Sequence, residues 1–387
     1  LSWLSLKPND TLVGEDTDEK TYEFHTYDEL DARVMELVSL YAGYPGVYGV
    51  ILADEPAYKY LQSYAEVYNS LKRVNAKLEK PLYVQYNLNP FIMSENVFDN
   101  FYPYVDGTDV YNYQNAYIRY QKYLTDFVNL MEPGYIQYDH YPLKTSEVME
   151  TYIPCLQFAA GLARDKNIKL HSVTQTFSML NQLSPVYREV DEAGARWLNN
   201  ILLSFGVDQI AYYTYFTHDG GQSTGETYID GTSFMDNYGN KSPLYDIMKK
   251  IIAEDQDFAH IYKRFEYVAS DIATKLPFAI PVSHIDHVKK EGQFSVLKDY
   301  STDKEAALIT ELYDKENDFY MYGAMNLVDP EKKGANVFEN ITLTFDSVYK
   351  YALVYKNGEG KYYRLDSNSS IVIKAAPGEA SFVIPFN

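Results

Sequence analysis

Two adjacent carboxylates, Asp54 and Glu55, close the run VYGVILADEP at 47–56. The apolar, β-branched part of that run has the length of a buried strand, and residues 58–78 behind it have the spacing of a helix. The acids therefore stand at the C-terminal end of a strand. Parallel α/β folds gather their chemistry at that end, because the loops there converge on one crevice. Either acid could instead cap the following helix, with Pro56 in its first turn, but both cannot be the N-cap residue. Capping or a supporting hydrogen bond is assigned to Asp54 and catalysis to Glu55.

The same polar and aromatic character recurs at the ends of the other apolar runs. PLYVQYNL closes on Gln85, Tyr86 and Asn87, with Asn89 beyond, and YIQYDHY on Tyr138, Asp139, His140 and Tyr141. KLHSVTQTF closes on Gln175 and Thr176, and QIAYYTYF on Tyr212, Tyr213 and Tyr215, with His218 and Asp219 following. The chain carries 40 tyrosines. A tyrosine offers a flat apolar face with a hydrogen-bonding tip, which suits sugars, whose C–H faces stack and whose hydroxyls bond.

Carboxylates, amides and rings, with no phosphate loop and no basic patch, suit a neutral, hydroxyl-rich ligand such as a carbohydrate. Glycoside cleavage needs an acid to protonate the leaving oxygen and a second group on the other face. Glu55 and Asp139 supply that pair, although Asp139 could equally be an acceptor that orients a tyrosine. The expected substrate contacts are Asp54, Gln85, Asn87, Tyr138, His140, Tyr141, Gln175, Tyr213 and Tyr215. Neither His140 nor His218 has a companion at HxxxH spacing, so no metal is expected, and no cofactor.

The elements that position these residues alternate in type. Strand-like runs at 2–6, 47–55, 81–88, 135–141, 169–177 and 209–216 are separated by helical spacing at 27–41, 58–78, 117–131, 146–165 and 186–205. Six such units predict a (β/α) barrel, which needs eight, so the simplest account is a (β/α)8 TIM barrel whose N-terminal part is missing from this sequence. A doubly wound sheet is the alternative, but no glycine-rich phosphate loop follows an early strand. After Phe216 a stretch rich in Gly, Asp, Ser and Thr could act as a lid, and 245–271 is again helical in pattern. From Val282 the runs are short and alternating, separated by turns such as Asn357-Gly358 and Pro377-Gly378, the pattern of an antiparallel sandwich. The predicted domains are a catalytic barrel at 1–274 and an all-β sandwich at 275–387.

At 387 residues the chain exceeds what one core usually holds, which agrees with two domains. Its 54 acidic against 34 basic residues, a net charge of −20, argue against nucleic acid or an anionic membrane surface as partner. The single cysteine, Cys155, excludes a disulfide framework and a cysteine metal site. No apolar run reaches membrane-spanning length, and LSWLSLKPND lacks the basic and apolar regions of a signal peptide, so the chain is expected to be mature, trimmed or cytoplasmic.

GVILADEP on one strand, YDHYP two strands on, and ARWLNNILLSFG followed by IAYYTYF together resemble the (β/α)8 glycoside hydrolases of the beta-galactosidase-like, clan A type. The likeness is to their secreted gut-bacterial members with a C-terminal β-sandwich. It implies a bacterial protein, secreted or on the cell surface, that cleaves a plant or host glycan. It makes Glu55 the acid/base group on a fourth strand and residues 2–6 the third. Members of that clan carry Asn where this chain has Asp54, and a nucleophilic Glu where it has Gln175. An amide cannot be the nucleophile. Either Asp139 takes over, the mechanism is inverting or substrate-assisted, or the protein binds sugars without cleaving them. Carboxyl separations of about 5–5.5 Å suit retention and about 6.5–9.5 Å inversion. A sandwich-borne site is a further alternative, but Tyr320, Tyr322, Tyr349 and Tyr351 alternate as core and surface positions would.

Overall fold

The computed structural model describes residues 4–7, 11–14, 26–181, 184–217, 228–230, 233–236, 238–275, 288, 290, 293–331 and 338–387. The chain forms two compact units, Leu1–Asp139 and His140–Asn387.

The first unit opens with β1 (Leu4–Lys7) and β2 (Thr11–Gly14), paired antiparallel in a two-stranded sheet of their own. The run at 2–6, expected to be a parallel barrel strand, is thus one arm of a hairpin. Pro8, Asn9 and Asp10 are turn formers between two short apolar runs, and local pairing across such a turn competes well with a distant neighbour.

Helix α1 (Tyr27–Ala42) starts where the Thr26 hydroxyl accepts from the Glu29 N–H at 3.2 Å, and it buries Leu30, Val34 and Val38. Strand β3 (Gly49–Asp54) leads through a short 3-10 turn to α2 (Leu61–Asn75), then β4 (Tyr83–Asn87), α3 (Glu95–Asn100), α4 (Tyr113–Met131) and β5 (Tyr135–His140). β3 and β4 run parallel, and Leu88 continues the pattern by bridging Tyr138 of β5 in the parallel sense. Three C-terminal strand ends therefore lie side by side.

The helices reach this layer through rings. α2 buries Leu61, Tyr64, Tyr68 and Leu71, and α4 buries Tyr120, Tyr123, Leu124 and Phe127, the spacing of one helix face. Tyr86 stacks on Tyr135 at 4.7 Å and meets Phe127 at 4.9 Å. Tyr86, Tyr120, Tyr123 and Tyr138 are fully buried, so much of the tyrosine surplus fills the core.

The second unit contains α5 (Tyr152–Lys166), β6 (Lys169–Gln175), β7 (Met179–Asn181), β8 (Ser184–Tyr187), α6 (Glu192–Ser204), β9 (Gln209–Tyr213), β10 (Tyr228–Asp230) and α7 (Pro243–Tyr262). β6 and β9 are parallel, while β10, β7 and β8 make a small antiparallel sheet that the sequence pattern did not announce. The helix expected from 146 starts at Tyr152, which places Pro154 in the first turn, where a missing N–H costs nothing. The helix expected to continue to 271 stops at Tyr262, because 266–274 alternates as a strand does: this is β11 (Glu266–Thr274).

β12 (Leu297–Thr302), β13 (Ala306–Asp314), β14 (Phe319–Asn326), β15 (Glu339–Phe345), β16 (Tyr351–Lys356), β17 (Glu359–Arg364), β18 (Ser370–Ala375) and β19 (Ala380–Phe386) complete the chain. They form an antiparallel six-stranded sheet, β11-β13-β14-β19-β16-β17, and a three-stranded sheet, β12-β15-β18. One core of Ile309, Tyr322, Ile341, Leu343, Phe345, Val354 and Val383 belongs to both, which makes the region a sandwich. The expected boundary at Thr274 falls at the end of β11. Helix α6 rests on the β18–β19 turn, where Gly378 has φ +77° and a Cβ would meet the Ala193 carbonyl oxygen at 2.6 Å.

The fold is therefore mixed α and β with a sheet-rich C-terminal region. Among the described residues the parallel strands do not close into an eight-stranded barrel.

Candidate active site

β3 carries Asp54 at its last position, and Glu55 follows with φ 45°, a left-handed conformation that a side chain with a Cβ rarely adopts. Such a residue persists only where its surroundings over-determine it, at a cost of about 1–3 kcal/mol. Here the clamps are visible. The Glu55 N–H donates to the Asn87 carbonyl at 2.8 Å, and the Pro56 carbonyl accepts from the Tyr123 hydroxyl at 2.9 Å and from Asn89 Nδ2 at 3.3 Å. Strand β4 and helix α4 together hold the turn after β3.

The side chains converge from three strand ends. Asn87 Nδ2 donates to Asp139 Oδ1 at 2.7 Å and to Asp54 Oδ1 at 3.2 Å, bridging two acids with one amide. The Glu55 carboxyl is in hydrogen-bonding contact with Asp139. Two carboxyls bond only if one is protonated. Solvent reaches Glu55 from one side while protein crowds it on the others. That enclosure, then the charges of Asp139 and Asp54 and the bond to Asp139, push its pKa up to about 8. Asp139 accepts from the Asn87 amide.

Hydrogen-bonding contact is closer than the carboxyl spacing of either glycosidase geometry, about 5–5.5 Å or about 6.5–9.5 Å. The structure brings the expected pair together, and the Asp139 charge raises the proton affinity of Glu55.

Alternation along the strands sorts the remaining candidates. Gln85 is half-buried on β4 and shares a face with Asn87, as Gln137 does with Asp139 on β5. Tyr138 and His140 lie on the opposite face of β5 and are core residues, at 0% and 2% exposure, not ligand contacts. The ring of His140 packs edge-on against Tyr152 at 5.0 Å, and burial beside Lys144 pushes its pKa down to about 3, so it is neutral. The sequence groups Tyr138, Asp139, His140 and Tyr141 at one strand end, and the two-residue period of the strand divides them. Among the described residues no group of His, Cys, Asp and Glu is placed to hold a metal.

Gln175 ends β6 at 0% exposure. Its Oε1 accepts from the Leu143 N–H at 3.0 Å, and its Nε2 faces the carbonyls of Leu143, Phe177 and Arg188 at 3.1–3.3 Å. The amide is spent on main chain and has nothing to offer a substrate. This corrects its expected role as a substrate contact.

In the second unit Tyr141 and Tyr213 meet at 5.8 Å, as residues of one cluster. Phe177 and Tyr187, which sequence reasoning missed, complete it: Phe177 contacts Tyr141 at 5.1 Å and Tyr213 at 5.7 Å, and Tyr187 lies 5.2 Å from Phe177. Lys144 sets its Nζ 3.6 Å from the Tyr187 ring centroid. Tyr187 was hidden because 186–205 was assigned to one helix, although Pro185 argues for an extended start. Tyr215 belongs elsewhere, against Phe216 at 4.9 Å and Phe234 at 5.8 Å. His218 and Asp219, with the expected lid around them, lie outside the described residues.

No family profile matches the chain, and no curated protein matches it. Among solved structures, the chain is similar to a glycoside hydrolase family 44 endoglucanase from Clostridium thermocellum, with 10% identity and a TM-score of 0.33 over 96% of this chain and 72% of that one.

Proposed function

We propose that this protein is a glycoside hydrolase acting outside the cell on a plant or host glycan, with Glu55 as the general acid. The observation that supports this reading is the Glu55–Asp139 contact, in which enclosure and a neighbouring charge keep a solvent-reachable carboxyl protonated at neutral pH. In the bond-breaking step Glu55 gives its proton to the departing glycosidic oxygen as the C–O bond breaks, while a water on the opposite face of the sugar ring bonds to the anomeric carbon and loses its proton to solvent. Asp139 stabilises the proton on Glu55 beforehand and does not attack the sugar. Asp54 and Asn87 hold Asp139 in place through the shared amide.

The test is hydrolysis of a panel of plant and host oligosaccharides by the parent and by Glu55→Gln. Cleavage by the parent and none by the variant is expected; a variant as fast as the parent sinks the assignment. A second reading, sugar binding without cleavage, is favoured by Gln175, whose amide stands where the resemblance calls for a nucleophile and is consumed by main-chain bonds. It predicts saturable binding by calorimetry with no product in a sensitive sugar assay.

A further inference from the structure

Lys169, Lys250, Lys298, Lys315 and Lys356 of the second unit each pair with a carboxylate. Among the described residues the Lys144 ammonium has neither an ion-pair nor a hydrogen-bond partner, only the Tyr187 face at 3.6 Å. Lys241 and Lys374 also face a ring without an ion pair among the described residues, Lys241 from an exposed position, whereas Lys144 is half-buried. The Lys144 main chain is tied to the same place: Lys144 and Tyr187 are bridged antiparallel, and the Lys144 N–H faces the Pro142 and Glu147 carbonyls at 3.0 Å. The backbone pairing places the Lys144 side chain beside the Tyr187 ring. Burial makes the ammonium less willing to hold its proton, and the field of Glu147 offsets only part of that. A partly buried cation is ordinarily retained with an anion beside it. In a chain with 20 more acids than bases, a cation left over for an outside anion is notable.

Beside it lies the aromatic surface. Tyr187 meets Tyr141 at 6.2 Å, and Tyr141 meets Tyr213 at 5.8 Å, with Tyr213 46% exposed. An oligosaccharide with one unit stacked on Tyr213 and the chain running along Tyr141 would bring an anionic substituent of a further unit toward Lys144 next to Tyr187.

We infer that this cluster is a subsite for an acidic sugar, a uronate or a sulfated residue, with Tyr213 as the stacking face and Lys144 as the residue that selects the anionic group. The inference rests on the glycan reading above for the kind of body that stacks, and not on hydrolysis.

Calorimetric titration of the full chain with a neutral cello-oligosaccharide, an oligogalacturonate and a sulfated galactan oligosaccharide tests it. The parent is expected to bind one of the acidic probes roughly tenfold tighter than the neutral one, the equivalent of one good ionic contact. Lys144→Met should remove most of that preference, Lys144→Arg should keep it, and Tyr213→Ala should weaken every probe that binds. Preference for the galacturonate identifies a carboxylate ligand, and preference for the galactan a sulfate. Tighter binding of the neutral probe, or a Lys144→Met protein that keeps the acidic preference, overturns the subsite while leaving the glycan reading in place. Failure of all three probes to bind overturns both.

Discussion

Glu55 combines a left-handed backbone, a proton held to about pH 8 and direct contact with a second carboxyl. Each feature costs stability, and together they describe a group kept ready to donate. If Asp139 serves only to raise the proton affinity of Glu55, hydrolysis by the parent should fall away on the basic side near pH 8. Asp139→Asn should then move that limb to lower pH while activity survives in acid. Loss of activity by Asp139→Asn at every pH would make Asp139 a nucleophile instead. Stability has its own signature. The folded chain keeps a Glu55 proton that the unfolded chain releases above the ordinary glutamate value of 4.5, so the folded state is favoured most below that value and loses the advantage as pH rises to about 8. Thermal denaturation of Glu55→Gln should be flatter than the parent's across that window, with a higher Tm at its upper end.

At the scale of elements, the site is a product of three neighbouring strand ends and one helix. β3 supplies Asp54 and Glu55, β4 supplies Asn87, β5 supplies Asp139, and α4 sends Tyr123 to the Pro56 carbonyl. Tyr123 is fully buried, so Tyr123→Phe removes one hydrogen bond without opening a cavity. It should lower stability by about 1 kcal/mol, measured by denaturant titration. If Glu55 is the acid proposed above, the substitution should also lower turnover, because it loosens the turn that carries Glu55.

At the scale of the whole molecule, the sandwich is not an appendage of the second unit. Arg188, 5% exposed in its side chain, makes a two-pronged bond to Asp329 at 2.7 and 3.2 Å and reaches Glu331 at 3.1 Å. Arg196 on α6 ties to Glu254 and Asn357, Gln157 on α5 to Ser270 of β11, and Asn200 to the Gly378 carbonyl. Arg188→Leu should cost about 3–5 kcal/mol, because it leaves Asp329 without its partner. A chain cut at Thr274 keeps β11 beneath α5 but loses β13, the antiparallel neighbour of β11, and leaves α6 without β14. It should be recovered as aggregate, and a soluble, cooperatively melting product would refute the integration of the two layers.

Much of this was legible in the sequence because it is written in local periods. The run 47–55 reads as a strand with acids at its end whatever else surrounds it, and the sandwich strands announce themselves by alternation and by turns such as Asn357-Gly358. Burial of Tyr138 and His140 was also within reach, since a strand shows successive side chains to opposite faces. Other features depended on residues distant in sequence. Whether residues 2–6 joined a parallel sheet or a hairpin was a competition between partners that no period records. The spending of the Gln175 amide on Leu143 and Arg188, and the placing of Lys144 over Tyr187, required loops to fold back on one another. The sequence by itself determined that Glu55 stands at a strand end among acids and amides. Only the tertiary structure decided that Asp139 touches it, because a pKa is set by what is packed within a few ångströms, and that neighbourhood is assembled from three strands.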